Sequence, residues 1–356
     1  MLSSLLEQEA LRVCEVSGFP AGSVGVREQL RDSPLPAGCS RRLFLGLGAM
    51  ALLAGCASRS SPSSALEKAP RARVGRYASP NPGSVNTLWL SAPEGLIVVD
   101  SGRNITGGQL VVKQLARKGL RVSAILVTHP HPDHVAGLGV LHKAFPRVPI
   151  FASKATAKWM RTDPLGFYPL ARRDDPKFPA KLTYPDHMIE PGETLEIGGA
   201  RLETAEFGPG ESATATAYYE PRTRALFAGD IVSNHCTPAL LEGHTCGWLG
   251  NLELLAKRFP EARTIYPGHG APADAKTLIA RQRAYLEQVR DLVQPAVGEH
   301  SAKGREISPA EQASIIAKLD REYPGYPRVA ALPTLKQANV QAVGREMGAG
   351  GVPTCP

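Results

Sequence analysis

Three histidines and one aspartate stand within six residues, in the segment THPHPDH at positions 128–134. Imidazole nitrogens and carboxylate oxygens are ligands of borderline divalent metals. His129 and His131 are two residues apart, and the two prolines of the segment stiffen the turn, so both rings can point the same way. Asp133 and His134 begin the next helical pattern and can reach an adjacent position. A single histidine is usually a surface or core residue, but this density predicts a metal site.

The elements around this segment alternate between strands and helices, which predicts an α/β fold with the site residues at strand ends. Two Pro-rich or poorly periodic segments, 163–191 and 232–248, are predicted loops over the active site. Strands are predicted at Val85–Leu90, Leu96–Asp100, Ala124–Thr128, Arg201–Glu206, Ala215–Tyr219 and Ala225–Ala228. Helices are predicted near Gly108–Lys118, His134–Phe145, Gly250–Phe259, Ala273–Val293, Pro309–Arg321 and Leu335–Met347.

The pattern H-x-H-x-D-H after a strand resembles the signature of the metallo-β-lactamase-fold hydrolases, and the resemblance covers most of residues 75–290. It implies a four-layer αββα sandwich. It also implies that Asp230, which ends the run ALFAGD, bridges two metals, and that His269 in the run YPGH is the last ligand. Asp100, at the end of LIVVD, fits the same pattern.

The third histidine of the family is missing from this sequence. Its place is taken by the turn PGES at 209–212, and no histidine lies between His187 and His235. We therefore expect Glu211 to be the missing ligand, although a Glu211 that only bonds the backbone of its turn remains open. A carboxylate adds negative charge and a harder donor, which shifts the metal preference from zinc toward manganese or iron.

The expected centre holds two divalent ions, zinc by resemblance and manganese or iron by the presence of Glu211. The first ion is assigned to His129, His131 and Glu211, the second to Asp133, His134 and His269, and Asp230 bridges them. A hydroxide shared by the ions is expected to attack an ester, lactone, thioester or amide carbonyl of a small molecule. Asp133 and Asp230 are the candidate catalytic residues.

Asp230 at the bridging position resembles the glyoxalase II, lactonase and esterase branches, because the β-lactamases usually have Cys or Ser there. The alternatives are β-lactamase-like activity, an iron-dependent sulfur dioxygenase on the same fold, and a non-catalytic metal-binding lipoprotein. His235 is a candidate substrate contact, and ordinary loop polarity explains it equally well. Cys236 and Cys246 could pair in an oxidising compartment.

The N-terminal part of the chain has the features of an export signal. Leu43–Gly55 is an apolar run of 13 residues, which is shorter than the roughly 20 residues that cross a bilayer and is typical of a signal peptide. Arg41 and Arg42 resemble a twin-arginine signal, and LAGC at 53–56 resembles a bacterial lipobox. These features predict an exported, periplasmic protein that is anchored to a membrane, the outer membrane being favoured, through a lipidated Cys56.

The chain is therefore divided into four parts. Residues 1–56 are an N-terminal extension with the signal peptide, 57–75 a flexible tether, 76–322 the metallo-β-lactamase-fold domain, and 323–356 a C-terminal helical tail for packing or for a homodimer. The net charge of +8 is modest for 356 residues and includes no dense Lys/Arg run, which argues against nucleic-acid binding. Six scattered cysteines argue against a disulfide scaffold.

Overall fold

The computed structural model describes residues 73–301, 306–329, 332–348 and 355. The predicted signal peptide, Cys56 and most of the predicted tether lie outside these residues. The tether prediction is wrong at its end, because the first described strand begins at Arg73. Within the described ranges, none of the helices combines the length and apolarity that crossing a membrane requires.

The first sheet has six strands in sequence order, with β1–β3 antiparallel and β3–β6 parallel. Helices connect its parallel strands. The strands are β1 Arg73–Ala78, β2 Asn86–Ala92, β3 Gly95–Val99, β4 Val122–Leu126, β5 Ile150–Ser153 and β6 His187–Ile189. The helices are α1 Ile105–Ala116, α2 Pro132–Val135, α3 Leu138–Ala144, α4 Lys154–Thr162 and α5 Phe167–Asp174.

The second sheet also has six strands, in the order β12-β11-β10-β9-β8-β7, and only its β10–β11 pair is parallel. Its strands are β7 Thr194–Ile197, β8 Ala200–Phe207, β9 Ala215–Glu220, β10 Ala225–Gly229, β11 Thr264–Pro267 and β12 Ala273–Asp274. The helices of this half are α6 Thr245–Arg258, α7 Ala275–Ser301, α8 Pro309–Glu322 and α9 Leu335–Gly348.

Apolar side chains on both faces of the strands hold the layers together. Successive side chains of a strand point to opposite faces. In β3, Leu96 and Val98 therefore pack in one core with α1 and α3–α5, whereas Ile97 and Val99 pack between the sheets with Phe227 of β10. A further core joins the second sheet to α6–α9. The predicted four-layer αββα sandwich is confirmed.

The predicted strands agree with the structure within two residues at each end. The loop prediction for 163–191 is wrong in part, since α5 and β6 lie within that segment. Pro169 suggests a helix breaker, but it stands in the first turn of α5, where proline is tolerated. The segment 232–248 is irregular only as far as His244, after which α6 begins.

A disulfide joins Cys246, near the start of α6, to Cys355, with a Cα–Cα distance of 5.1 Å. The sequence left open whether Cys246 pairs with Cys236, and the structure shows that it does not. Cys236 is free and buried, and its thiol donates to the Asn234 carbonyl at 3.4 Å. The N-terminal end of α6 instead faces the C-terminal part of the chain.

We expect reduction of this disulfide to lower the free energy of unfolding by about 2–4 kcal/mol, because the bond closes a long loop in the unfolded chain. Chemical denaturation with and without dithiothreitol measures the effect. Cys355→Ser should remove the effect of the reductant, whereas Cys236→Ala, which lacks only the free thiol, should retain it. A wild-type protein that is insensitive to the reductant would contradict the pairing.

Candidate metal centre

The predicted site residues come from four separate segments that end at one edge of the fold. His129, His131, Asp133 and His134 follow β4, Glu211 lies in the turn between β8 and β9, Asp230 follows β10 and His269 follows β11. All of these side chains except Asp133 and His131 are buried. The structure brings together all seven side chains that the sequence singled out as metal ligands.

At the position predicted for the first cation, called the first position below, a carboxylate faces two imidazoles. The Oε1 atom of Glu211 is 3.0 Å from His131 Nδ1, and its Oε2 atom is 3.5 Å from His129 Nε2. Candidate ligand atoms of these three residues lie within 4.8 Å of one another. Burial raises the pKa of Glu211 to about 7, and the neighbouring His131 opposes this shift.

The second position lies next to the first and includes Asp133, His134 and His269. His269 Nε2 is 3.3 Å from Asp133 Oδ2 and 3.1 Å from Asp230 Oδ2. The other oxygen of Asp230, Oδ1, is 3.4 Å from His134 Nε2. Since Asp230 also groups with His129 and His134, its carboxylate lies between the two positions.

Several atoms that face the centre are buried and have no hydrogen-bond partner within the described part of the chain, which is costly for polar atoms. Four of them belong to the predicted ligands: Nε2 of His129, His134 and His269, and Oδ1 of Asp230. They surround the space between the imidazoles and the carboxylates. Imidazole nitrogens and carboxylate oxygens in this arrangement fit a pair of divalent cations.

The other ring nitrogen of each histidine is held from outside the centre. Such contacts fix the orientation of an imidazole and tune its basicity as a ligand. The four contacts are His129 Nδ1 to Thr128 Oγ1 at 2.9 Å, His134 Nδ1 to Asp100 Oδ2 at 2.7 Å, His269 Nδ1 to the Gly83 carbonyl at 2.8 Å, and His131 Nε2 to Glu242 Oε1 at 2.9 Å.

Asp100 organises the strand end that carries the histidine segment. Its backbone has a φ of 61°, a left-handed conformation that costs energy outside glycine. In this conformation its carboxylate accepts from the Thr128 backbone N–H at 2.9 Å and contacts His134. Asp100 therefore fixes the orientation of His134 on the side of the ring that faces away from the centre.

When no cation is present, the carboxylates of the centre favour protonation of His134 and His269, whereas burial holds the pKa of His129 well below its ordinary value. Burial alone would lower the pKa of His134, but Asp230, Asp100 and Asp133 outweigh it and raise that pKa to about 10. At His269, burial likewise opposes the shift, and Asp230 and Asp133 raise the pKa well above its ordinary value. A cation must displace these protons in order to bind.

A pocket of about 160 Å³ opens onto the two positions. Asp133, Glu211, Asp230 and His269 line it. Its walls are largely apolar, and they come from α5 and the segment after it, from the segment before α6 and from the segment before α9. The main apolar wall residues are Phe167, Leu170, Phe178, Leu241, Val329 and Leu332.

Two side chains differ from the sequence-based expectations. Glu242, which contacts His131, was not among the candidate residues, and only its place in the predicted loop 232–248 could have indicated it. His235 was a candidate substrate contact, but it does not line this pocket. It is exposed, and its ring packs at 5.4 Å from the ring of Tyr326.

A family model described as the metallo-beta-lactamase superfamily matches residues 80–269, more than half of the chain. The chain belongs to the metallo-β-lactamase superfamily. Members of this superfamily are usually hydrolases, and the buried clusters of His, Asp and Glu indicate divalent metal ions.

The curated relatives include hydrolases at low identity. The probable metallo-hydrolase YqgX of Bacillus subtilis is 26% identical over 198 residues, which are 55% of this chain and 90% of that protein. A hydroxyacylglutathione hydrolase of Chromohalobacter salexigens is 28% identical over 240 residues, covering 63% and 81%. Another, of Synechococcus sp., is 29% identical over 164 residues, covering 46% and 56%, so the chain spans little more than half of that relative.

A solved structure has the same fold. The metallo-beta-lactamase family protein TTHA1429 of Thermus thermophilus superposes with a TM-score of 0.55 over 79% of this chain and 93% of that chain. The two sequences are 20% identical, so this likeness concerns the fold alone.

Gly268 is required next to the centre of this superfamily member. A Cβ atom there would lie 1.9 Å from Asp230 Oδ1 and 2.8 Å from His134 Cε1. We expect Gly268→Ala to displace the Asp230 carboxylate and to weaken metal binding by at least about 10-fold, as the loss of supporting contacts does elsewhere. Elemental analysis after dialysis measures the retained metal.

Gly348→Ala is the matched control, because a Cβ atom there meets only Val297 at 3.8 Å. This variant should retain the metal content of the wild type. Equal metal retention in Gly268→Ala would contradict the close packing around Asp230.

We also expect metal affinity to increase with pH beyond neutrality. Protons compete with the cation at every pH below the pKa of the metal-free imidazole, and that of His134 is about 10. The affinity should therefore still rise between about pH 7 and pH 9, where sites of ordinary histidines have levelled off. Chelator competition across this range measures it, and a constant affinity above about pH 7 would contradict the charge balance described here.

Proposed function

We propose that the protein is a hydrolase that binds two divalent cations and cleaves an ester, lactone, thioester or amide bond of a small molecule. The observation that carries this proposal is the set of buried ligand atoms that have no hydrogen-bond partner among the described residues, beside a largely apolar pocket that Asp230 and His269 line. Membership of the superfamily and the hydrolase relatives support the same reaction class.

The proposed first cation is held by His129, His131 and Glu211, the second by Asp133, His134 and His269, with Asp230 between them. The two oxygens of Glu211 face His129 and His131 at 3.5 and 3.0 Å, which favours a ligand over a side chain that only bonds its own turn. A buried carboxylate with two neighbouring carboxylates also needs a nearby positive charge.

When bound, such cations polarise a carbonyl oxygen and make water acidic enough to act as a nucleophile near neutral pH. Asp230 is nearly inaccessible, with its side chain 7% exposed, and therefore serves to hold charge between the two positions. The Asp133 side chain is 27% exposed and reaches the pocket, so its carboxylate is placed to orient the attacking water.

The apolar walls favour a substrate with a compact apolar acyl group. The hydroxyacylglutathione hydrolases among the relatives support a thioester. Export would favour lactones and other esters, because glutathione thioesters belong to the cytoplasm. β-Lactamase-like activity is a further possibility for this site, and Asp230 at the bridging position argues against it.

A second candidate is an iron-dependent dioxygenase that acts on a sulfur compound. Two histidines and one glutamate at the first position match the two-histidine, one-carboxylate set that is typical of non-haem iron oxygenases. Zinc is the metal of the leading proposal, and Glu211 favours manganese or iron. Bound iron together with oxygen consumption would support the second candidate over hydrolysis.

We further propose that the protein is exported to the periplasm and anchored to a membrane, preferably the outer one, through Cys56. The disulfide between Cys246 and Cys355 supports an oxidising compartment. The proposed partner is a small-molecule substrate, with no nucleic acid, and a homodimer is a further proposal. Labelling with a radioactive fatty acid should depend on Cys56, and a Cys56→Ala protein that is still labelled would contradict the anchor.

The test of the hydrolase proposal combines substitution with metal analysis. His129→Ala and Asp230→Ala should lower turnover by at least about 100-fold while the fold survives, because each removes a group that holds a cation. Glu211→Ala should lose about one metal ion per chain. The exposed His187, which pairs with Asp186, supplies the control His187→Ala with unchanged turnover.

The readouts are elemental analysis, circular dichroism and hydrolysis of a panel of esters, lactones, thioesters and β-lactams. Full activity of His129→Ala or Asp230→Ala would contradict the mechanism. Two metal ions without any hydrolysis across the panel would instead support a metal-binding lipoprotein.

A further inference from the structure

Glu242 is a buried carboxylate outside the seven predicted ligands. Its side chain is 3% exposed, and its Oε1 atom is 2.9 Å from His131 Nε2. Its Oε2 atom is buried and has no hydrogen-bond partner among the described residues. Burying a carboxylate in this way is costly unless its charge is used.

His131 is therefore held between two carboxylates. Its Nδ1 atom faces Glu211 at 3.0 Å, on the side of the proposed first cation, and its Nε2 atom faces Glu242 on the opposite side. An imidazole that gives Nδ1 to a cation keeps its proton on Nε2, and that proton needs an acceptor. Glu242 Oε1 is at the right distance to accept it.

We propose that Glu242 is a positioning residue that fixes the ring of His131, turns Nδ1 toward the first cation and strengthens its binding. The proposal rests on His131 being a ligand of that cation. A carboxylate, a histidine and a metal in series form an arrangement in which the carboxylate sets the orientation and basicity of the ligand.

The C-terminal part of the chain holds Glu242 in place from the preceding side. The Asn339 side chain of α9 accepts from the Leu240 backbone N–H at 2.8 Å and donates to the Pro238 carbonyl at 2.8 Å. A single buried amide thus fixes the backbone just before Glu242.

The same helix holds the segment that follows Glu242. The Glu346 carboxylate accepts from the backbone N–H groups of Thr245 and Cys246, both at 2.9 Å, at the first turn of α6. Arg290 of α7 donates to the Thr245 hydroxyl at 2.7 Å. The tail that the sequence predicts for packing or dimerisation therefore also fixes the backbone on both sides of Glu242.

Three substitutions at one position test this role. Glu242→Ala and Glu242→Leu both remove the oxygen that accepts from His131. Leucine keeps most of the side-chain volume, so Glu242→Leu tests the same role without the cavity that alanine leaves. Glu242→Gln keeps an oxygen that can accept from His131 Nε2. Cobalt(II) is the probe, with affinities measured by chelator competition and the ligand field by absorption spectroscopy.

We expect Glu242→Ala and Glu242→Leu to bind cobalt about 10- to 100-fold more weakly at the position of His129, His131 and Glu211. The absorption band of the cobalt ion at that position should also change. The affinity for the second ion should stay within about threefold, because its proposed ligands do not contact Glu242. A residue needed only for folding would weaken both ions together. Glu242→Gln should recover a large part of the loss.

Asn339→Ala tests the connection to α9. It should weaken the first ion in the wild type but add little in Glu242→Ala, because both changes act through the same contact. Glu196→Gln, an exposed glutamate in β7, is the control and should bind both ions as the wild type does.

Either of two results would overturn the proposal: a folded Glu242→Ala or Glu242→Leu with wild-type affinity for the first ion, or equal loss at both ions. His131→Ala separates this failure from that of the proposed metal centre. If His131→Ala also leaves the first ion unaffected, the ligand assignment itself is wrong. If His131→Ala loses that ion but the Glu242 variants do not, only the role of Glu242 is wrong.

Discussion

The structure depends on the electrostatic balance of one buried cluster. Asp133, Glu211 and Asp230 bring three carboxylates together with four imidazoles, and several of their atoms find no hydrogen-bond partner among the residues that the structure describes. Carboxylates at such distances repel one another strongly where the dielectric constant is low. Protons on His131, His134 and His269 balance part of this charge in the metal-free protein, and two divalent cations would balance it better. Cation binding should therefore also stabilise this edge of the fold, because it reduces the repulsion among the carboxylates.

The fold brings the ligands of this cluster together because strands that are distant in sequence end close to one another. The sheets pack face to face, and β4, β10 and β11 end at the same edge, so that residues far apart in sequence become neighbours. Local conformations that cost energy support this edge. Asp100 has a φ of 61° so that its carboxylate can hold Thr128 and His134, and Gly268 leaves room for Asp230. The free energy gained by burying apolar side chains between the layers offsets such local costs.

Much of this arrangement could be predicted from the sequence, because its signals are local. Apolar runs predicted six of the strands, the family resemblance predicted the two-sheet sandwich, and the histidine segment predicted the centre. Glu211 could be found because its turn occupies the place of a family histidine. Glu242, by contrast, has no periodic or motif context, and its position depends on Asn339, which is 99 residues away from its contact Leu240. The pairing of Cys246 with Cys355 spans 109 residues and has no local signal either.

The central claim is that two cations occupy the cluster and that Glu211 replaces a histidine at one of them. Anomalous diffraction from crystals of the cobalt- or manganese-loaded protein tests this claim most directly. We predict two peaks about 3.5–4 Å apart, one of them about 2.0–2.3 Å from His129 Nε2, His131 Nδ1 and a Glu211 oxygen. A loaded crystal without a peak at these three atoms, or with Glu211 turned away from the ion, would contradict it.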